Sequence, residues 1–81
     1  MERTIHIQYF ALLREQRGQS EETLRTDALT PKALYARLKK DHRFTLPEGS
    51  VRVSVNERFA PWHAELKTGD RLVFLPPVSG G

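Results

Sequence analysis

The 81-residue sequence contains no cysteine. That absence removes disulfides, thiolate metal ligands and a thiol nucleophile together. If such a chain handles sulfur, it must do so on its C-terminal carboxylate. No apolar run is long enough to span a bilayer, and Met1-Glu2-Arg3-Thr4 leads directly into strand-like alternation instead of a signal-peptide hydrophobic region. A cytoplasmic location is the default expectation. His6, His42 and His63 are scattered without metal-ligand spacing, so no metal site is expected. There is no phosphate-cradling glycine loop and no nucleophile–base pair, and the chain alone is expected to catalyse nothing. The formal net charge is +3, but the thirteen Lys and Arg residues are spread along the chain, which gives no argument for nucleic-acid binding. Their nearest approach to a cluster is Arg37, Lys39, Lys40, His42 and Arg43. These fall at the C-terminal end of a predicted helix, where the macrodipole favours cations. At this length one domain with a small core is the only arrangement available.

What is present is an unusual ending, Phe74-Leu75-Pro76-Pro77-Val78-Ser79-Gly80-Gly81. The apolar strand Arg71 to Leu75 runs into a diproline, which fixes φ near −65° and donates no N–H, so the chain should leave the sheet extended. Two glycines then remove every Cβ from the tip. A tail of this kind suits a carboxylate threaded into a narrow channel of another protein. A diglycine by itself would equally suit a frayed end, but a frayed end gains nothing from a stiff spacer. We therefore expect residues 1–75 to form a domain that serves as a handle for a flexible tail, residues 76–81.

The rest of the chain supplies the elements of that domain. Ile5, Ile7 and Tyr9 alternate with Thr4, His6 and Gln8, the period of a strand with one buried face. Ala11 to Arg17 carries helix formers closed by Gly18, with Leu12 or Leu13 expected to plug the core. Glu21 to Thr26 reads as an edge strand paired with the first, Thr23 and Leu24 pointing inward. Thr30-Pro31 starts the one long helix, which runs to about Asp41 with Leu34 and Leu38 on its apolar stripe, Ala33 and Arg37 in the adjoining rows and Tyr35 at the boundary. Val51, Val53 and Val55 mark a strand, turned by Asn56-Glu57 into a short one at Arg58 to Ala60. An irregular crossover through Trp62, His63 and Leu66 and a turn at Thr68-Gly69-Asp70 lead into the last strand. That strand is apolar on both faces, so it is central in the sheet or keeps one face for a partner. This order predicts an α+β fold, a mixed sheet of about five strands on one main helix, which is the order of the ubiquitin-like β-grasp.

Along its whole length the sequence resembles the small subunits of molybdopterin synthase, a family of ubiquitin-like sulfur carriers. The residues that carry the resemblance are Phe10-Ala11 with Arg14-Glu15, Val55-Asn56, Leu66, Gly69-Asp70 and the ending from Phe74 to Gly81. Leu75 stands where the family usually has a second aromatic. The resemblance implies that an activating enzyme, using ATP and Mg, adenylates the Gly81 carboxylate and that a sulfur donor protein converts it to a thiocarboxylate. The charged tail would then enter the large subunit, in an expected heterotetramer, and attack cyclic pyranopterin monophosphate. In this scheme Gly81 is the reacting residue, Gly80 provides clearance, and Pro76, Pro77 and Val78 guide the tail. Arg14, Phe59 and Leu75 match positions at which the family contacts its partners. Each also has a structural alternative, with Phe59 and Leu75 in the core and Arg14 a solvated charge.

Three rival readings remain open on the sequence. One is a carrier for thiamine, amino-acid or tRNA sulfur. Another is a ubiquitin-like modifier conjugated to lysines through the same tail. The third is a basic β-grasp module that binds RNA and for which the diglycine is irrelevant.

Overall fold

The computed structural model describes residues 2–77. In chain order the elements are β1 (Arg3–Tyr9), α1 (Ala11–Arg17), β2 (Glu21–Thr26), α2 (Pro31–His42), β3 (Arg52–Val55), β4 (Arg58–Ala60) and β5 (Arg71–Leu75), with one 3-10 turn, Glu48–Ser50, ahead of β3. They form a single five-stranded sheet in the order β2-β1-β5-β3-β4. The first and last strands lie parallel at its centre, Ile7 beside Leu72 and Tyr9 beside Phe74, and every other pairing is antiparallel. This is the β-grasp anticipated from the order of elements, and it puts β5 in the most protected place in the sheet.

The alternation in β1 does what its period implies. Ile5, Ile7 and Tyr9 are buried on one face and His6 and Gln8 are exposed on the other. After β1 the chain turns through Ala11, at φ 52°, into α1, which ends on Gly18 at φ 86° with the glycine N–H bonded to the Arg14 carbonyl. Leu13 is the core plug, whereas Leu12 remains exposed. In β2 the inward set differs from expectation. Leu24 lies opposite Ile5 and faces the core, but Thr23 lies opposite His6 on the outer face, where its Oγ1 is 2.8 Å from His6 Nδ1. Neighbouring strand residues point to opposite faces, so only one of the two could be inward.

Helix α2 begins as the sequence suggested, with Thr30 Oγ1 accepting from the Ala33 N–H at 3.1 Å and Pro31 at the first position. Its buried face is Pro31, Leu34, Tyr35 and Leu38. Tyr35 was expected at the helix boundary with solvent; instead it is fully buried. Its hydroxyl donates to the Leu46 carbonyl at 2.7 Å, which offsets the desolvation that burying it would otherwise cost. Arg37, expected beside the apolar stripe, turns outward to an ion pair with Asp27.

The core centres on Phe74. Its ring lies 5.1 Å from that of Tyr35, 6.1 Å from Trp62 and 6.3 Å from Tyr9, and Phe44 closes the cluster against Tyr9 and Tyr35. Burying one such ring contributes about 2–3 kcal/mol, so the strand that leads to the tail is held by a fully buried aromatic anchor. The crossover after β4 is tied down by backbone bonds, Lys32 N–H to the Trp62 carbonyl and Leu66 N–H to the Leu29 carbonyl, which fix the fully buried Leu66 beneath the sheet.

Candidate functional site

Two strands determine where the tail leaves. Because β1 and β5 are parallel, the end of β5 at Leu75 lies at the same edge of the sheet as the end of β1 at Tyr9. Helix α1, with Phe10 before it and Arg14 within it, therefore begins where Pro76 and Pro77 emerge. Strand β3 runs the other way, so its first residue, Arg52, pairs directly with Leu75, and the Glu48–Ser50 turn comes to the same edge.

The helices cover only the inner face of the sheet. On the outer face cross-strand register sets Phe59 opposite Ser54 and Ser54 opposite Val73, while Arg52 sits opposite Leu75. Phe59 is 70% exposed, which excludes a core role for it. Leu75 and Pro76 are half-buried and Pro77 is exposed. Together with Gly49, Ser50 and Arg52 these residues line a groove of about 450 Å³ on the sheet surface. The Arg52 guanidinium carbon stands 5.6 Å from the centre of the Phe59 ring, a cation–π contact worth about 0.5–1 kcal/mol at an exposed site. A large apolar side chain left in water next to a partly exposed diproline is a feature that docking faces share.

Phe59, Leu75, Pro76 and Pro77 are thus brought together. Arg14 is exposed on α1, at the same edge but outside the residues that line the groove. Val78, Gly80 and Gly81 lie outside the described residues. The sequence had not singled out Arg52. Its outward direction was readable from the inward Val51 and Val53, but its stacking on Phe59 depends on the pairing of β3 with both β4 and β5.

Two polar clusters hold the frame and leave the groove free. Asn56 and Glu57, at φ 53° and 71°, form a two-residue hairpin turn, and the Asn56 amide bridges the entry of β5. Its Nδ2 donates to Asp70 Oδ1 at 2.9 Å while its Oδ1 accepts the Arg71 N–H at 2.9 Å, and Asp70 Oδ2 accepts the Lys67 N–H. Val55-Asn56 and Gly69-Asp70, two of the motifs singled out in the sequence, are therefore one structural clamp. At the other flank Arg17 makes a two-pronged pair with Glu22, whose Oε2 also accepts the Tyr9 hydroxyl at 2.6 Å. The Arg17 hydrogen bonds hold the Glu22 carboxyl below its usual range, and burial, aided by Glu22, pushes the Tyr9 hydroxyl far up. Among the described residues no group of acidic, His or Cys side chains is placed to hold a metal ion, and no helix is long and apolar enough to cross a membrane.

Comparison with known proteins identifies the family. Residues 7–81 match the model of the ThiS family, and the chain belongs to that family. It is 31% identical over 80 residues to the molybdopterin synthase sulfur carrier subunit of Haemophilus influenzae, covering 95% of this chain and 99% of the relative. Among solved structures it is similar to a putative molybdopterin converting factor subunit 1 from Pyrococcus furiosus, with 30% identity and a TM-score of 0.78 over 94% of this chain and 99% of that one. Subunit 1 in a complex of subunits 1 and 2 of molybdopterin-converting factor from Helicobacter pylori gives 26% identity and a TM-score of 0.63, with both chains fully covered. SAMP1 of Haloferax volcanii, a small archaeal modifier protein, gives 28% identity and a TM-score of 0.73 over 96% of this chain and 99% of that one.

Proposed function

We propose that this chain is the sulfur carrier subunit of a molybdopterin synthase. The observation that carries the reading is the groove at the tail's exit. Phe59 stands exposed beside Leu75, Pro76 and Pro77 on a face that no helix of the domain covers. The chain belongs to the ThiS family and is 31% identical to a molybdopterin synthase sulfur carrier subunit; in this reading the face seats the domain on a partner while the diproline directs the tail.

The chemistry proposed for the tail balances without any group of the folded domain. The Gly81 carboxylate attacks the α-phosphorus of ATP on an activating enzyme, Mg assisting, and pyrophosphate leaves. Hydrosulfide supplied by a donor protein then attacks the acyl carbon and displaces AMP, which leaves a thiocarboxylate and a proton. A carboxylate alone is a poor acceptor; the adenylate supplies the leaving group. The thiocarboxylate sulfur next attacks cyclic pyranopterin monophosphate inside the large subunit, and water cleaves the resulting thioester, so that the sulfur stays on the pterin and the Gly81 carboxylate is regenerated. The complex reported for the Helicobacter pylori subunits supports a large-subunit partner of this kind. Acid–base catalysis belongs to the partners, and the chain's share is delivery.

The test is an intact mass after incubation with the activating enzyme, ATP and sulfide. The expected result is a gain equal to replacing one oxygen by one sulfur, absent when Gly81 is deleted. An unchanged mass with an enzyme shown to be competent would sink the proposal.

A second reading, attachment of the tail to lysines of other proteins, is favoured by one observation, the similarity to SAMP1. It predicts a ladder of covalent adducts on a denaturing gel, which the sulfur carrier reading does not.

A further inference from the structure

The groove beside the tail is apolar except at one point. Ser50, Leu75, Pro76, Pro77 and Phe59 form its walls, and Arg52 is the one charged side chain that lines it. Among the described residues no carboxylate pairs with Arg52, although the domain forms ion pairs through Arg17, Arg25, Lys32 and Arg37. The placement is set by the sheet. Val51 and Val53 are buried on either side of it, so Arg52 must project from the outer face, opposite Leu75 and within 5.6 Å of the Phe59 ring.

With its guanidinium carbon over the Phe59 ring and no ion pair among the described residues, Arg52 keeps its N–H donors unspent. Their edge is a planar fork suited to two parallel bonds with a carboxylate. The ring contact also restricts the long Arg52 side chain beforehand, which lowers the entropy lost when a partner binds. An acidic group brought against this edge would lie at the rim of an apolar contact centred on Phe59, a position where water is largely excluded and charge pairing strengthens.

We propose that Arg52 is a specificity determinant of the docking face, and that the large subunit which accepts this carrier presents a carboxylate to its edge beside the apolar surface that covers Phe59. This rests on the sulfur carrier reading and names the chemistry of the partner's contact. A large subunit with a neutral or basic side chain at that place is rejected, because Arg52 would be stripped of water without a counter-charge.

The experiment measures the affinity of this chain for the large subunit of the same organism at low and high salt, with Arg52→Leu, Arg52→Lys, Arg52→Glu and Phe59→Ala. Arg52→Leu is expected to weaken binding about tenfold and to flatten its salt dependence. Arg52→Lys should fall between, since it retains the charge and loses the fork. Arg52→Glu should bind least, and exchanging the facing carboxylate of the large subunit for lysine should restore it. The proposal is overturned if Arg52→Leu binds as tightly as the native chain with the same salt dependence while Phe59→Ala binds weakly; the docking face would then stand without its charge reader. If the native chain and Phe59→Ala bind alike, the docking face lies elsewhere and the proposal is overturned while the sulfur carrier reading stands; if the native chain does not bind at all, that reading falls with it. Both altered positions are exposed, so equal thermal transitions would exclude unfolding as the cause.

Discussion

Asn56 and Asp70 are fourteen residues apart in sequence and joined by a 2.9 Å bond from the amide Nδ2 to the carboxylate Oδ1. This bond ties the β3–β4 turn to the start of the strand that carries the tail. Asn56 also occupies a left-handed backbone conformation that asparagine tolerates better than most residues. Asn56→Ala should therefore lose two side-chain hydrogen bonds and gain backbone strain together, at a cost of about 2–3 kcal/mol. Chemical denaturation would show this as a lower midpoint with an unchanged slope.

The partner residue in that turn gives the opposite prediction. Glu57 adopts φ 71° in a two-residue hairpin loop between Val55 and Arg58. Both central residues of such a turn need positive φ, and Asn-Gly is the preferred pair. Glu57→Gly should raise stability by about 0.5–1 kcal/mol, read as a higher thermal midpoint.

The Tyr9, Glu22 and Arg17 cluster predicts both limbs of the pH dependence. Hydrogen bonding to Arg17 lowers the Glu22 carboxyl in the folded state, so the unfolded chain binds its proton first as pH falls. The stability from Glu22 is complete above the unfolded value of about 4.3 and is lost as pH drops through the lower folded value. Tyr9 and Tyr35 both have hydroxyls raised by burial, so they favour the fold up to the unfolded value of about 10 and destabilise it progressively above. Glu22→Gln should shrink the acid limb and Tyr9→Phe the alkaline one. Denaturation midpoints across the pH range would reveal either change.

Phe59 separates stability from binding. With its ring mostly in water, Phe59→Ala removes little beyond the Arg52 contact and should change stability by less than about 1 kcal/mol. The same substitution should cost about 2 kcal/mol of affinity for the large subunit, the size of a central apolar anchor. A large loss of thermal stability with unaltered binding would contradict the placement of Phe59.

How much of this was legible in the sequence follows from the range of each signal. The alternation in β1, the Thr30-Pro31 start of α2 and the Gly18 stop of α1 are local, and the structure agrees with each. Thr23, Tyr35 and Arg52 depend on partners distant in sequence. Thr23 faces outward because β2 pairs with Leu24 opposite Ile5, and Tyr35 is buried because the Leu46 carbonyl meets its hydroxyl. For Phe59 the residues alone left core and docking face equally open. Only the register of β4 on β3, which turns it to the uncovered face, decides between them.

The central position of β5 has a mechanical meaning. A pull applied at Pro76 along the axis of β5 loads a strand flanked by four paired positions with β1 and four with β3. Such a load shears both ladders at once and does not peel them rung by rung. A domain built this way resists being pulled apart from the end of β5.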